Sequence, residues 1–132
     1  MTSHYHTVLW IDHHEARIIH FNADAAEEDV VRPLHPPRHL HAKAGSSSGT
    51  HLAGEPEFYR EVGQAIDGAK AILIAGPSAA KTEFVKYLHE HQPQMLTHVW
   101  GIETLARVTD HQLLAEGRRY FAKTDRMHQQ KG

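Results

Sequence analysis

The order of elements along this chain, β-β-β, a long loop, then α-β-α-β-α, predicts an α/β fold of the ribonuclease-H-like kind: a three-layer mixed sheet with helices on its faces. Three observations carry that expectation. Two β-rich runs, TVLWID and ARIIHF, follow one another across a short polar connection. A continuous apolar run, AILIA, passes through Gly-Pro directly into an amphipathic helical pattern, which makes one βα unit. Another strand and helix follow it, so an antiparallel start gives way to repeated βα units. A ferredoxin-like split is excluded, because it requires a helix between the first two strands.

Taken in order, the first strand covers Thr7 to Asp12 and the second Ala16 to Phe21, with His13-His14-Glu15 as the hairpin connection. A third strand is expected over Asp29 to Leu34, after an acidic turn at Asp24 to Glu28. From His35 to Gly54 no period persists: the stretch holds Pro36, Pro37 and the Gly45 to Gly49 run, as a long functional or disordered loop would. Order resumes at Glu55 with a helix that turns Phe58, Val62, Ala65 and Ile66 to one face and ends near Gly68. Ala71 to Ala75 is apolar throughout, as a strand covered on both faces requires. Gly76-Pro77-Ser78 then supplies a turn and a helix cap. On the next helix Phe84, Val85 and Leu88 fall on the inner face, with Lys81, Glu83, Lys86 and Glu90 left for water, and Pro93 stops it. A fifth strand is expected over Leu96 to Ile102, and a last helix from Asp110 to about Lys123 with Leu113, Leu114, Gly117 and Phe121 inward. The tail, residues 125–132, should fray. These phases name Val8, Trp10, Ile18, Ile72, Ile74, Phe84, Leu88, Val99, Leu113 and Phe121 as core.

At 132 residues the chain is expected to form one domain, residues 1–132, with a core of useful size. The absence of cysteine excludes disulfides, thiolate zinc sites and cysteine nucleophiles. No apolar run approaches a membrane span and the first residues lack a basic leader, so no membrane partner and a cytoplasmic setting are expected. A net charge of −2 with histidine neutral argues against holding nucleic acid by bulk charge. The 14 histidines equal lysine and arginine combined, however, so mild acid would turn the chain strongly basic.

Several stretches resemble the central domain of the archaeo-eukaryotic release factor and Pelota superfamily, including its bacterial relatives. They are the opening VLWIDHHEARIIHF, the helix EFYREVGQAI, the strand-turn-helix ILIAGPSAAKTEFVKYL and the closing HVWGIETLARVTDHQLLAEGRRYF, which together cover most of the chain. The resemblance implies a translation-linked protein that associates with the ribosome, without the flanking domains that read stop codons or recruit a GTPase. It implies a possible place in hibernation or rescue, as for some Pelota-like bacterial relatives. In release factors the loop between third strand and first helix carries Gly-Gly-Gln. The corresponding residues 35–54 here contain no glutamine, so peptidyl-tRNA hydrolysis by that route is not expected.

Motifs that mimic chemistry are weighed against this background. Gly76 to Thr82 imitates a phosphate loop, but Ala75 and Ala80 occupy the positions where glycines would let backbone N–H groups wrap phosphates, so no nucleotide is expected. Asp12 is the single strand-borne carboxylate that a two-metal nuclease could use, and such a residue is more often a turn former. The histidine pairs 4/6, 39/41 and 89/91 show no fixed zinc spacing, so no metal, cofactor or catalytic set is expected. The loop makes the better case. Arg32, Arg38, Lys43 and the histidines at 35, 39, 41 and 51 gather potential cations with no acidic residue between His35 and Gly54. Arg32, Arg38, His39, His41, Lys43 and His51 are therefore the expected contacts to ribosomal RNA or tRNA phosphates. The second basic set, Arg118, Arg119, Lys123, Arg126 and Lys131, suits a solvated helix end. The competing classes are a metal-dependent RNA hydrolase using Asp12 or histidines, and a protein-interaction scaffold.

Overall fold

The computed structural model describes residues 6–33 and 56–131, with side-chain environments given as far as residue 124. Five strands form one sheet in the order β3-β2-β1-β4-β5. They are β1 (His6–Ile11), β2 (Ala16–Phe21), β3 (Ala26–Val31), β4 (Ala71–Gly76) and β5 (Val99–Thr104), and the helices are α1 (Pro56–Ala65), α2 (Ala80–His91) and α3 (Asp110–Lys131). β1 and β3 each run antiparallel to β2, whereas β4 is parallel to both β1 and β5. This is the mixed, three-layer arrangement that the element order predicts.

The pleat sorts the core into two layers. Leu9, Ile11, Ile18, Ile72 and Ile74 pack with Phe58, Val62, Phe84 and Leu88 of α1 and α2. Val8, Trp10, Ile19, Phe21 and Leu73 pack with Leu113 and Phe121 of α3 on the opposite face. Nine of the ten expected core residues are buried, and Val99 is partly buried against the first layer. β1 and β4 are covered on both faces, which explains their unbroken apolar runs.

The two hairpins share one turn chemistry. The carboxylate of Asp12 accepts the amides of His14 and Glu15 at 2.8 and 2.9 Å, and the Asp12 amide donates to the Glu15 carbonyl. Asn22 repeats the pattern, its side-chain oxygen accepting the amides of Asp24 and Ala25 at 2.9 Å. A side chain that takes the amides two and three residues ahead closes the turn at a fixed length. That fixes Phe21 opposite Ala26 and starts β3 three residues before the expected Asp29. Ladder pairing with β2 thus overrides the poor strand propensity of Glu27, Glu28 and Asp29. β3 ends at Val31, short of the expected Leu34, as Pro33 lacks an amide to continue the ladder.

Three further boundaries differ from expectation. Pro93 opens a 3₁₀ helix over Pro93–His98 that buries Met95, so Leu96 to His98 are not strand and β5 begins at Val99. The first residue of α2 is preceded by Ala79, which makes no side-chain cap bond, so Ser78 is not the cap. α3 continues past Lys123 to Lys131, because no glycine or proline interrupts residues 122–131 and Thr124 Oγ1 donates back to the Tyr120 carbonyl. Its start is secured by a reciprocal capping box: the Gln112 amide donates to Thr109 Oγ1 at 3.1 Å, and the Thr109 amide to Gln112 Oε1 at 3.0 Å.

Candidate nucleic-acid interface

β1, β3, β4 and β5 run in the same direction, so their carboxyl ends share one edge of the sheet, where open α/β folds place their ligands. The first turn of α1 lies at this edge, since Tyr59 joins His13 at the end of β1 through a common acceptor, Glu83. Its last turn lies at the opposite edge, where the Ala65 carbonyl meets His20 Nε2 at 3.1 Å. Both points that bound residues 34–55, Pro33 after β3 and Pro56 at the start of α1, are therefore on the carboxyl edge.

Arginine dominates this edge beside β2. Glu15, with its side chain 9% exposed, faces Arg32 Nη2 at 3.4 Å through one oxygen and Arg107 Nη2 at 2.6 Å through the other. Arg32 and Arg107 remain largely open to solvent. Beneath them Arg17 is buried, donating Nε and Nη2 to Asp110 Oδ1 at 2.9 and 2.5 Å. The guanidinium carbons of Arg17 and Arg107 each lie 5.4 Å from the centre of the Trp10 ring. Trp10 is itself buried and donates its indole N–H to the Leu105 carbonyl at 3.0 Å, which holds the loop after β5 against β1. A cleft of about 540 Å³ opens between these side chains, with Val30 and Val108 as its apolar wall. Glu28 borders Asp110, and burial followed by that carboxylate's charge pushes its own carboxyl above the usual range.

The second cluster on the edge is neutralising rather than cationic. Glu83 Oε1 accepts from His13 Nε2 at 2.8 Å and from the Tyr59 hydroxyl at 2.9 Å, so Glu83 is not left for water as its helical phase suggests. Burial first, and the Glu83 carboxylate second, hold the Tyr59 phenol well above its usual range and keep it a hydrogen-bond donor.

Of the residues named from sequence, Arg32 stands on this edge, whereas Arg38, His39, His41, Lys43 and His51 lie outside the described residues. Arg17, Arg107 and Glu15 join Arg32 without having been named. The signal for Arg17 was a charge on the inward phase of β2, next to Trp10 in the ladder. Arg107 had no local signal, since its place depends on the Trp10 bond. Asp12 spends one carboxylate oxygen on its own turn, as a turn former does. At the phosphate-loop mimic, a Cβ on Gly76 would stand 2.2 Å from the Ile11 carbonyl oxygen, so the glycine serves the close approach of β4 to β1. Lys81 Nζ donates to the Ser78 carbonyl at 2.9 Å. Among the described residues no three His, Asp or Glu side chains group to hold a metal, and no helix is long and apolar enough to cross a membrane.

No protein-family model and no curated protein matches the chain. Solved structures do. Pelota from Archaeoglobus fulgidus superposes with a TM-score of 0.61 at 20% identity, over 86% of this chain and 30% of that one. The archaeal translation termination factor aRF1 superposes with a TM-score of 0.53 at 14% identity, over 96% of this chain and 41% of that one. The fold is shared with one part of both proteins. The chain spans less than half the length of either, and at these identities the likeness establishes architecture alone.

Proposed function

We propose that this chain is a translation-linked RNA-binding protein that associates with the ribosome, a relative of the release-factor and Pelota central domain of the bacterial kind, acting in hibernation or rescue in the cytoplasm. One observation carries the reading. Pro33 and Pro56, the described residues on either side of the sequence that contains the acid-free cationic segment 35–54, stand at the sheet edge where Arg32 and Arg107 are exposed. Cations gathered on one edge favour a polyanion even though the chain is slightly acidic as a whole. The likeness in fold to a translation termination factor supports the ribosome as the place of binding. Arg32, Arg38, His39, His41, Lys43 and His51 are the proposed contacts to ribosomal RNA or tRNA. Lacking glutamine in the segment, the chain binds without hydrolysing peptidyl-tRNA by the Gly-Gly-Gln route. Sedimentation of the purified chain through a sucrose gradient with ribosomes tests this: it should travel with the particles at low salt and leave them at high salt. A chain that stays at the top of the gradient under both conditions contradicts the proposal.

A further inference from the structure

We infer that the Arg17, Arg32 and Arg107 cleft is itself a binding site for a phosphodiester of the RNA backbone, distinct from the 35–54 segment and independent of base sequence. The inference rests on the RNA-binding reading above and assigns it a site within the folded domain.

The arginines are paired with carboxylates that leave each of them further donors. Glu15 offers one oxygen to Arg32 and the other to Arg107, so it positions two arginines whose side chains stay 68% and 62% exposed. Asp110 takes Nε and Nη2 of Arg17 and leaves Nη1 buried without an acceptor, although the side chain is only 9% exposed. A buried guanidinium N–H without a partner is costly, and an anion seated above Arg17 relieves that cost as no apolar ligand could. Among the residues that line the cleft, the three guanidinium groups face two carboxylates, Glu15 and Asp110, so the lining keeps a positive surplus. Arginine forks match the paired oxygens of a phosphate, and the cleft has room for one with its flanking sugars against Val30 and Val108.

The geometry also offers bases no open aromatic face. Trp10, the aromatic ring that Arg17 and Arg107 approach, is fully buried and offers no face for stacking. Contacts of this type position a strand and carry no sequence information.

Nuclear magnetic resonance of the ¹⁵N-labelled full chain tests the site through the arginine Nε–Hε signals. The probes are inorganic phosphate, oligouridylate, oligoadenylate and an oligoglutamate peptide. The Arg107 and Arg32 signals should shift saturably with both oligonucleotides alike, weakly with inorganic phosphate, and not with the peptide. Arg107→Ala, at an exposed position that leaves the core intact, should weaken oligouridylate binding about tenfold at low salt, and Arg107→Lys should restore part of it. Unmoved arginine signals, an Arg107→Ala variant that binds as the parent does, or shifts confined to the acidic peptide overturn the site. If the parent sediments with ribosomes while these signals stay still, the cleft inference fails and the ribosome reading stands. If the signals move with RNA but the chain never sediments with ribosomes, the site stands and the ribosome reading fails.

Discussion

The indole N–H of Trp10 donates to the carbonyl oxygen of Leu105 at 3.0 Å, with Ala106 as a second acceptor at 3.3 Å, and so ties the end of β1 to the loop after β5. This loop carries Arg107 and leads to Asp110, so the bond places two of the residues that build the arginine cleft. Trp10→Phe keeps an aromatic ring in the layer and deletes the donor. It should cost about 1 kcal/mol of stability from the hydrogen bond alone, read by urea denaturation, with further loss from the smaller ring. Amide exchange over 105–109 should accelerate more than exchange in β4. Equal acceleration throughout would show that the bond has no local role.

Gly76→Ala tests the close approach of β4 to β1. A Cβ at this position meets the Ile11 carbonyl at 2.2 Å, and that backbone closes β1, the central strand, where it pairs with β2. The variant should lose about 3 kcal/mol, the upper end of the usual range for overpacking, in a thermal or denaturant melt. A loss under about 0.5 kcal/mol, no more than an ordinary surface change, would mean that the strands can separate without cost.

The same turn leads to an expected negative result. With Gly76 engaged against Ile11 and Lys81 folded onto the Ser78 carbonyl, Gly76 to Thr82 has no wrap of amides to offer a phosphate chain. Calorimetric titration with MgATP or MgGTP should give only heat of dilution. Micromolar binding lost on Lys81→Ala would refute this.

Between β5 and α3, burial and then the Glu116 carboxylate raise the Glu103 carboxyl above its usual range, while Arg119 holds Glu116 below it. The signs are opposite. A carboxyl raised by folding contributes stability at low pH that is lost as pH rises through its folded value, whereas the Glu116 contribution is present at neutral pH and is lost on acidification. Glu103→Gln removes the charge and retains a donor for Glu116. The variant should be more stable than the parent at pH 7, and the difference should vanish below the ordinary carboxylate range near pH ~4. A variant less stable at neutral pH would show that Glu103 is held charged by Arg119 and Lys123.

Most of the architecture was legible in the chain because β1 and β4 advertise burial through unbroken apolar runs and the helices through period. Val8, Trp10, Phe84 and Phe121 each sit on the phase that their elements predict. The misplaced boundaries come from interactions that period does not register. β3 is set by the Asn22 turn and by pairing with β2, so its acidic start at Ala26 looks like a loop. The 3₁₀ helix at Pro93–His98 replaces the beginning of a strand because proline can open a turn as well as end a helix. Of the candidate site, Arg32 was visible as part of a cationic run. Arg17 and Arg107 were not, since 90 positions separate them and they meet through long-range contacts: the Trp10 bond to the loop after β5, the Arg17 pair with Asp110 and the Arg107 pair with Glu15.

The most direct test of the central claim is the salt dependence of ribosome binding by the full chain and by its Arg38→Ala, Lys43→Ala double variant. Counterion release requires the logarithm of the parent's affinity to fall linearly with the logarithm of salt concentration. Loss of two phosphate contacts should reduce that slope by about 2 and weaken low-salt binding by about tenfold or more. Binding should strengthen as pH falls through the histidine range, and Arg118→Ala with Arg119→Ala should change it less. Binding that ignores salt and pH, or a double variant that binds as the parent does with an unchanged slope, would contradict the account.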